Sequence, residues 1–222
     1  VSLQDLPPTP ELPEQFADFT DQLTAYAQLL ATAGVERGLI GPREVPRLWD
    51  RHILNSAVLG ELVPDGVLVI DVGSGAGLPG LPLAIVRPDL HIVLLEPLLR
   101  RATFLAEAVQ ALGLSGTVTV DRGRAEERVK IYASDVVTAR AVAPLDRLAG
   151  WCLPLVKTGG ALLALKGSQA ADEIATGRKT ITSLGGAEPE ILTCGAGVVD
   201  PLTTVVRIVR TGTAARGGRR TR

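Results

Sequence analysis

Two cysteines, two histidines and no methionine occur among 222 residues. Cys152 and Cys194 cannot supply a disulfide framework, and their use fits a reducing compartment. The scattered Cys and His residues offer no metal-binding spacing, so no metal is expected. The missing methionine fits a trimmed start or a start codon read as Val1. No apolar run reaches bilayer-spanning length, and the first residues are polar and proline-rich. A cytoplasmic protein with no membrane partner is expected. The formal net charge is −1, so no global basic excess announces nucleic acid. Nothing marks an obligate dimer, and a monomer is expected.

The length suits one α/β domain with a short extension, large enough to bury its own core without staples. Four prolines within residues 1–13 predict a flexible segment. Residues 14–66 read as a helical extension. Phe16, Phe19, Leu23, Tyr26, Ala27 and Leu30 recur at helical spacing over Glu14–Ala33, and Gly34 is expected to end that helix. A loop over Gly38–Pro46 leads to a second helix over Arg47–Leu59. Residues 67–210 then alternate. Strands are expected at Val67–Val72, His91–Glu96, Val118–Asp121, Asp135–Ala139, Gly160–Lys166, Glu190–Thr193 and Thr203–Val209. Helices follow the first, second, fourth and fifth strands. This pattern predicts a doubly wound, seven-stranded, mostly parallel Rossmann-like sheet, the last two strands pairing antiparallel. Residues 211–222 are expected to form a basic, flexible tail; from Arg210 onward the chain carries five arginines and no acid.

The first strand runs into Asp71-Val-Gly73-Ser-Gly75-Ala-Gly77-Leu-Pro-Gly80. Two alignments compete. Gly75-x-Gly77-x-x-Gly80 matches the dinucleotide fingerprint; Asp71-x-Gly73-x-Gly75-x-Gly77 matches the acidic glycine loop of S-adenosylmethionine (SAM) methyltransferases. Both are expected to set backbone N–H groups and a helix N-terminus beside the ligand. A pyrophosphate would be repelled by Asp71, whereas the ammonium and sulfonium of SAM would be attracted, so SAM is the expected cofactor. Glu96, at the end of the second strand, suits a ribose diol. Ala125 and Glu126, after the third strand, fall where an adenine would lie. The fourth strand ends at Arg140 and the fifth at Lys166. Both basic residues are placed at the carboxyl edge of the sheet, where donor meets acceptor. No Asn/Asp-Pro-Pro-Tyr/Phe follows the fourth strand, which argues against exocyclic amine methylation, and no Pro-Cys nucleophile is present for attack at pyrimidine carbon 5. Cys152 sits on an amphipathic helix and reads as core.

Six segments in order carry a family resemblance: "WDRHILNS" (Trp49–Ser56), "DVGSGAGLPGLP" (Asp71–Pro82), "LLEPLLRRATFL" (Leu94–Leu105), "RAEE" (Arg124–Glu127), "ARAVAPL" (Ala139–Leu145) and "LALKG" (Leu163–Gly167). The chain resembles the glucose-inhibited division protein B family, bacterial small-subunit rRNA guanine-N7 methyltransferases, over about residues 20–210. The resemblance implies SAM contacts at Gly73, Leu78, Ala125, Glu126 and Arg140. It also implies the substrate: a guanine of 16S rRNA near the decoding centre, with the 30S subunit as partner. Asn55 replaces the usual Asp, the usual Asn-Leu-Thr before that helix is missing, and Asp200-Pro201-Leu202 stands where relatives often carry an Arg.

Guanine N7 has an in-plane lone pair and no proton, so positioning can supply most of the catalysis. Arg140 is expected to hold the cofactor and to donate to guanine O6, leaving N7 free. Candidate RNA contacts are Arg43, Arg47, Arg51, His52, Arg100, Arg101, Arg219 and Arg220, with Lys166 as a further phosphate ligand. The rival readings are a SAM-dependent methyltransferase of small molecules or proteins and an NAD(P)-binding oxidoreductase. The latter lacks a catalytic acid/base late in the chain, for no histidine follows His91.

Overall fold

The computed structural model describes residues 8–212. Seven strands form one sheet in the order β3-β2-β1-β4-β5-β7-β6: β1 Leu68–Val72, β2 His91–Leu95, β3 Val118–Asp121, β4 Ser134–Arg140, β5 Val156–Lys166, β6 Glu190–Cys194 and β7 Thr203–Val209. Strands β1 to β5 are mutually parallel, and β7 runs antiparallel between β5 and β6. The chain crosses over between β1 and β4, which opens a crevice at the carboxyl ends of the strands.

Both faces of the sheet are buried, so the strands read as continuous apolar runs. The period of two still sorts them. Val69, Ile92, Leu94 and Val136 enter one core, with α3 (Gly80–Val86), α4 (Leu99–Ala111) and the N-terminal extension. Ile70, Val72, Val93, Leu95, Val137 and Ala139 enter the other, with α5 (Ala125–Arg128), α6 (Leu145–Cys152) and α7 (Ala170–Ser183). Cys152 is fully buried in this second core, as its amphipathic setting implied.

The extension shares the first core. Phe16, Leu23, Tyr26, Leu30, Leu48 and Ile53 pack with Val69 and Leu94. Its helices are less regular than their periodicity predicts. A 3-10 turn (Glu14–Phe19) precedes α1 (Thr20–Leu29), which widens into a π turn at Leu30–Gly34. The helix passes through Gly34, whose backbone stays helical; the reversal comes at Gly38, where φ is +64° and the N–H caps Val35 O. The expected Gly38–Pro46 loop contains a 3-10 turn at Pro42–Arg47. The expected second helix is a π turn (Leu48–Leu54), a single α turn labelled α2 (Asn55–Ala57) and a 3-10 turn (Val58–Leu62). Two contacts fasten it to the final hairpin: Asn55 Nδ2 donates to Thr203 Oγ1 at 2.7 Å, and Gly195 N–H donates to the Glu61 carboxylate.

Candidate functional site

The glycine loop leaves β1 at the crossover point. Gly73, Gly75 and Gly77 all have positive φ (71°, 58° and 101°), a conformation that strains any residue with a Cβ. Space adds to the demand at two of them. A Cβ on Gly73 would stand 2.9 Å from Val142 Cγ2, and one on Gly77 would run into Leu81.

Most N–H groups of this loop point inward. Gly73 N–H bonds Leu95 O, Gly75 N–H bonds Glu96 Oε2, and Gly77 and Leu78 N–H both bond Ser74 O. The α3 N-terminus is likewise taken, since Gly80 N–H donates to Asp71 Oδ2 at 3.0 Å. The sequence expectation of N–H donors turned to the ligand is therefore corrected: those donors frame the loop itself. A pyrophosphate would find few amides here and a buried carboxylate beneath them. A cationic donor would meet half-buried Gly73 and Gly75, which carry no side chain, above a negative charge, so the residues present fit SAM.

Asp71 and Glu96 do not reach into the crevice. Asp71 is fully buried and also accepts from Thr138 Oγ1 at 3.2 Å. Burial raises its pKa from 3.8 to about 6, against the hydrogen bonds from Gly80, Ser74 and Thr138 and the charge of Arg140. Glu96 is 1% exposed. Its two oxygens accept from Gly75 N–H and Leu98 N–H, each at 3.0 Å. Both carboxylates brace the loop, and each oxygen keeps lone-pair capacity.

The turn after β3 is held by a clamp invisible in the sequence. Arg128 makes a bidentate pair with Asp121 (2.7 and 2.8 Å), and Tyr132 Oη donates to the same carboxylate at 2.9 Å. The guanidinium lies where a Gly123 side chain would project. Ala125 is buried and Glu126 exposed at the start of α5.

Tyr26, read from sequence only as core, braces the loop from the other side. Its hydroxyl, fully buried, donates to Ala76 O at 2.9 Å, and burial raises its pKa well above 10.

Arg140 leaves β4 just before Ala141, whose φ of +53° makes it the non-glycine residue with positive φ among those described. Its side chain crosses to the "WDRHILNS" segment. Nη1 donates to Ser56 Oγ (3.1 Å) and His52 O (3.3 Å); Nη2 donates to His52 Nδ1 (2.7 Å) and Arg51 O (3.1 Å). The expected hydrogen bond from these nitrogens to guanine O6 is corrected: both terminal nitrogens are committed within the protein. His52 is corrected too. Its side chain is 12% exposed and lies between Arg140 and Glu44 (Nε2–Oε2 2.8 Å), not on an open RNA-facing surface.

Lys166 is not a free charge at the acceptor. Its Nζ donates to Glu173 Oε2 (2.7 Å) and Ala143 O (2.8 Å), and the same Glu173 oxygen accepts from Leu145 N–H. This pair fastens the loop after β4 to α7.

A groove of about 1070 Å³ lies beyond Arg140, bordered by Arg47, Asp50, Arg51, Asn55, Lys166 and Asp200. Arg47 and Arg51 are exposed on its extension wall. Arg43 and Arg100 are exposed elsewhere, and Arg101 stands 3.9 Å from Glu96. Arg219 and Arg220 lie outside the described residues. Among the described residues no group of three His, Cys, Asp or Glu converges as a metal site, and no helix is long and apolar enough to cross a membrane.

The model of the family described as rRNA small subunit methyltransferase G matches residues 20–201. The chain belongs to that family. It is 61% identical over 206 residues to the ribosomal RNA small subunit methyltransferase G of Streptomyces avermitilis, covering 92% of this chain and 86% of the relative. It is 56% identical to the protein of the same name from Salinispora arenicola, covering 97% and 98%. Solved structures share the fold at low identity. A SAM-dependent O-methyltransferase from Thermotoga maritima superposes with TM-score 0.53 at 15% identity, covering 72% of this chain and 66% of that one. An O-methyltransferase family protein from Burkholderia thailandensis gives 0.56 at 16%, covering 89% and 62%. The methyltransferase G family membership thus joins the expected Rossmann-like fold to a SAM-dependent rRNA methyltransferase.

Proposed function

We propose that this protein transfers the methyl group of SAM to N7 of one guanine of 16S rRNA in the small ribosomal subunit, near the decoding centre, in the cytoplasm. One observation carries the reading. The side-chain-free glycine ledge touches the loop after β4 through Gly73 and Val142, and that same loop lines a groove walled by Arg47 and Arg51. Donor and acceptor sites therefore share one wall. The guanine atom and its neighbourhood come from the family resemblance.

SAM supplies an electrophilic methyl on its sulfonium. Gly73, Gly75, Gly77 and Leu78 would hold its amino-acid end. Asp71 contributes charge from beneath the loop. Glu96 holds the loop from within, and Ala125-Glu126 would border the adenine. Arg140 lies at the junction and joins the extension to the sheet. Guanine N7 has no proton to lose and would need no general base, so the protein's task is alignment. Arg47 and Arg51 receive phosphates of an RNA whose target base is turned out of its stack.

The test uses tritiated SAM and 30S subunits from cells that lack the protein, followed by nucleoside analysis. One new 7-methylguanosine in 16S rRNA is expected. Unlabelled 30S and 16S RNA, with SAM binding intact, would refute the assignment and turn the search to small-molecule or protein acceptors.

A further inference from the structure

We infer that His52, as the neutral Nε2–H tautomer, is the acceptor that positions Arg140 at the methyl-donor site. Arg140 presents a guanidinium. It has donors and no acceptor, so an Arg140 Nη2 at 2.7 Å from His52 Nδ1 requires a lone pair on Nδ1. The ring proton then sits on Nε2 and is donated to Glu44 Oε2 at 2.8 Å. Glu44 fixes the tautomer, as carboxylates do for histidines that use their other nitrogen as a ligand. Ser56 repeats the same polarity. Its hydroxyl donates to His52 O at 2.6 Å, leaving its lone pairs for Arg140 Nη1 at 3.1 Å. The side-chain relay thus runs one way, from Arg140 through His52 to Glu44.

The electrostatics agree. Burial lowers the His52 pKa, and the neighbouring charges of Arg140 and Arg51 act in the same direction, while the Glu44 hydrogen bond opposes them. A protonated His52 would set a donor against a donor at Arg140. Among the described residues the other acceptors bonded to these terminal nitrogens are two backbone carbonyls and one hydroxyl. Arg140 directly precedes strained Ala141, and the Val142 side chain fills the space beside Gly73, so a shift of Arg140 is felt at the glycine loop.

The inference rests on the reading that Arg140 serves the donor site, and the test separates the two. The chain has two histidines, so H91Q leaves a single imidazole for nitrogen-15 NMR. At neutral pH the His52 signals are expected at the Nε2–H tautomer and to move in R140A. SAM dissociation constants are measured for H52L, H52N and S56A, each checked for cooperative unfolding. H52L should weaken SAM about tenfold, the scale of one charge-assisted hydrogen bond. H52N, whose Oδ1 replaces the Nδ1 lone pair, should recover most of that loss. S56A, which leaves the imidazole in place, should weaken SAM about threefold. An Nδ1–H tautomer, or a His52 signal unmoved by R140A, would overturn the pairing. R140A costing affinity while H52L costs none, or H52N no better than H52L, would overturn the positioning role alone. A confirmed pairing with R140A binding SAM normally would instead sink the donor-site reading.

Discussion

Asp71 carries the most quantitative consequence of the structure. Its carboxylate is fully buried, and its pKa rises from 3.8 to about 6. A difference of about 2 units corresponds to about 3 kcal/mol between the two protonation states. The folded protein holds this proton more tightly than the unfolded chain. Asp71 therefore favours folding most below pH 4, and this contribution declines as pH rises through about 6, levelling off above 7. The amide of D71N has nearly the same shape and does not titrate there. Urea unfolding of both proteins at pH 4, 5, 6 and 7 isolates the effect, because other groups cancel in the difference. The wild type should lose about 2–2.5 kcal/mol relative to D71N between pH 4 and 7, the first part of the full span being lost already at pH 4. A difference constant across that window, or one favouring the wild type as pH rises, would refute the burial argument. Linked to this, SAM binding near pH 6 should release a fraction of a proton, detectable by calorimetry in buffers of different ionisation enthalpy, and none at pH 8.

Three substitutions extend the account. G80A drives a methyl group into Leu94 and to within 2.7 Å of Asp71 Oδ2; overpacking of about 1–3 kcal/mol should lower the midpoint of thermal unfolding by several degrees. Y26F leaves Ala76 O without its hydroxyl donor, costing about 1–3 kcal/mol in denaturant unfolding together with some SAM affinity. A141G removes the left-handed strain at φ +53° but frees the unfolded chain, so stability should stay within about 1 kcal/mol of wild type while single-turnover methyl transfer slows.

The sheet was legible because strands buried on both faces are short apolar runs closed by glycine or polar residues, as at Val67–Val72 and His91–Glu96. The antiparallel final pair followed from the missing helix between Glu190–Thr193 and Thr203–Val209. The extension was legible only as apolar periodicity: nothing local in Leu30–Gly34 or Leu48–Leu54 marks the widening into π turns, which comes from packing on the sheet. Gly34 misled because a buried glycine within a helix looks like a stop. At the site, residue positions were legible and side-chain directions were not. Asp71 turns back to Gly80 and Glu96 to Gly75, whereas a strand-end carboxylate reads as ligand-facing. Lys166 finds Glu173 on the following helix, and Arg140 finds His52 88 positions earlier. Tyr26 reaches Ala76 across 50 positions and gave no motif.

The central claim is that donor and acceptor meet across one wall, with the donor on the glycine ledge and RNA on the Arg47–Arg51 side. The most direct test compares R47A/R51A with wild type in two assays: SAM binding, and the salt dependence of KM for 30S subunits. The account predicts SAM affinity within about twofold of wild type, a KM raised about tenfold or more, and a salt slope smaller by about 1–2 for two lost phosphate contacts. Weakened SAM binding with an unchanged KM and salt slope would contradict it.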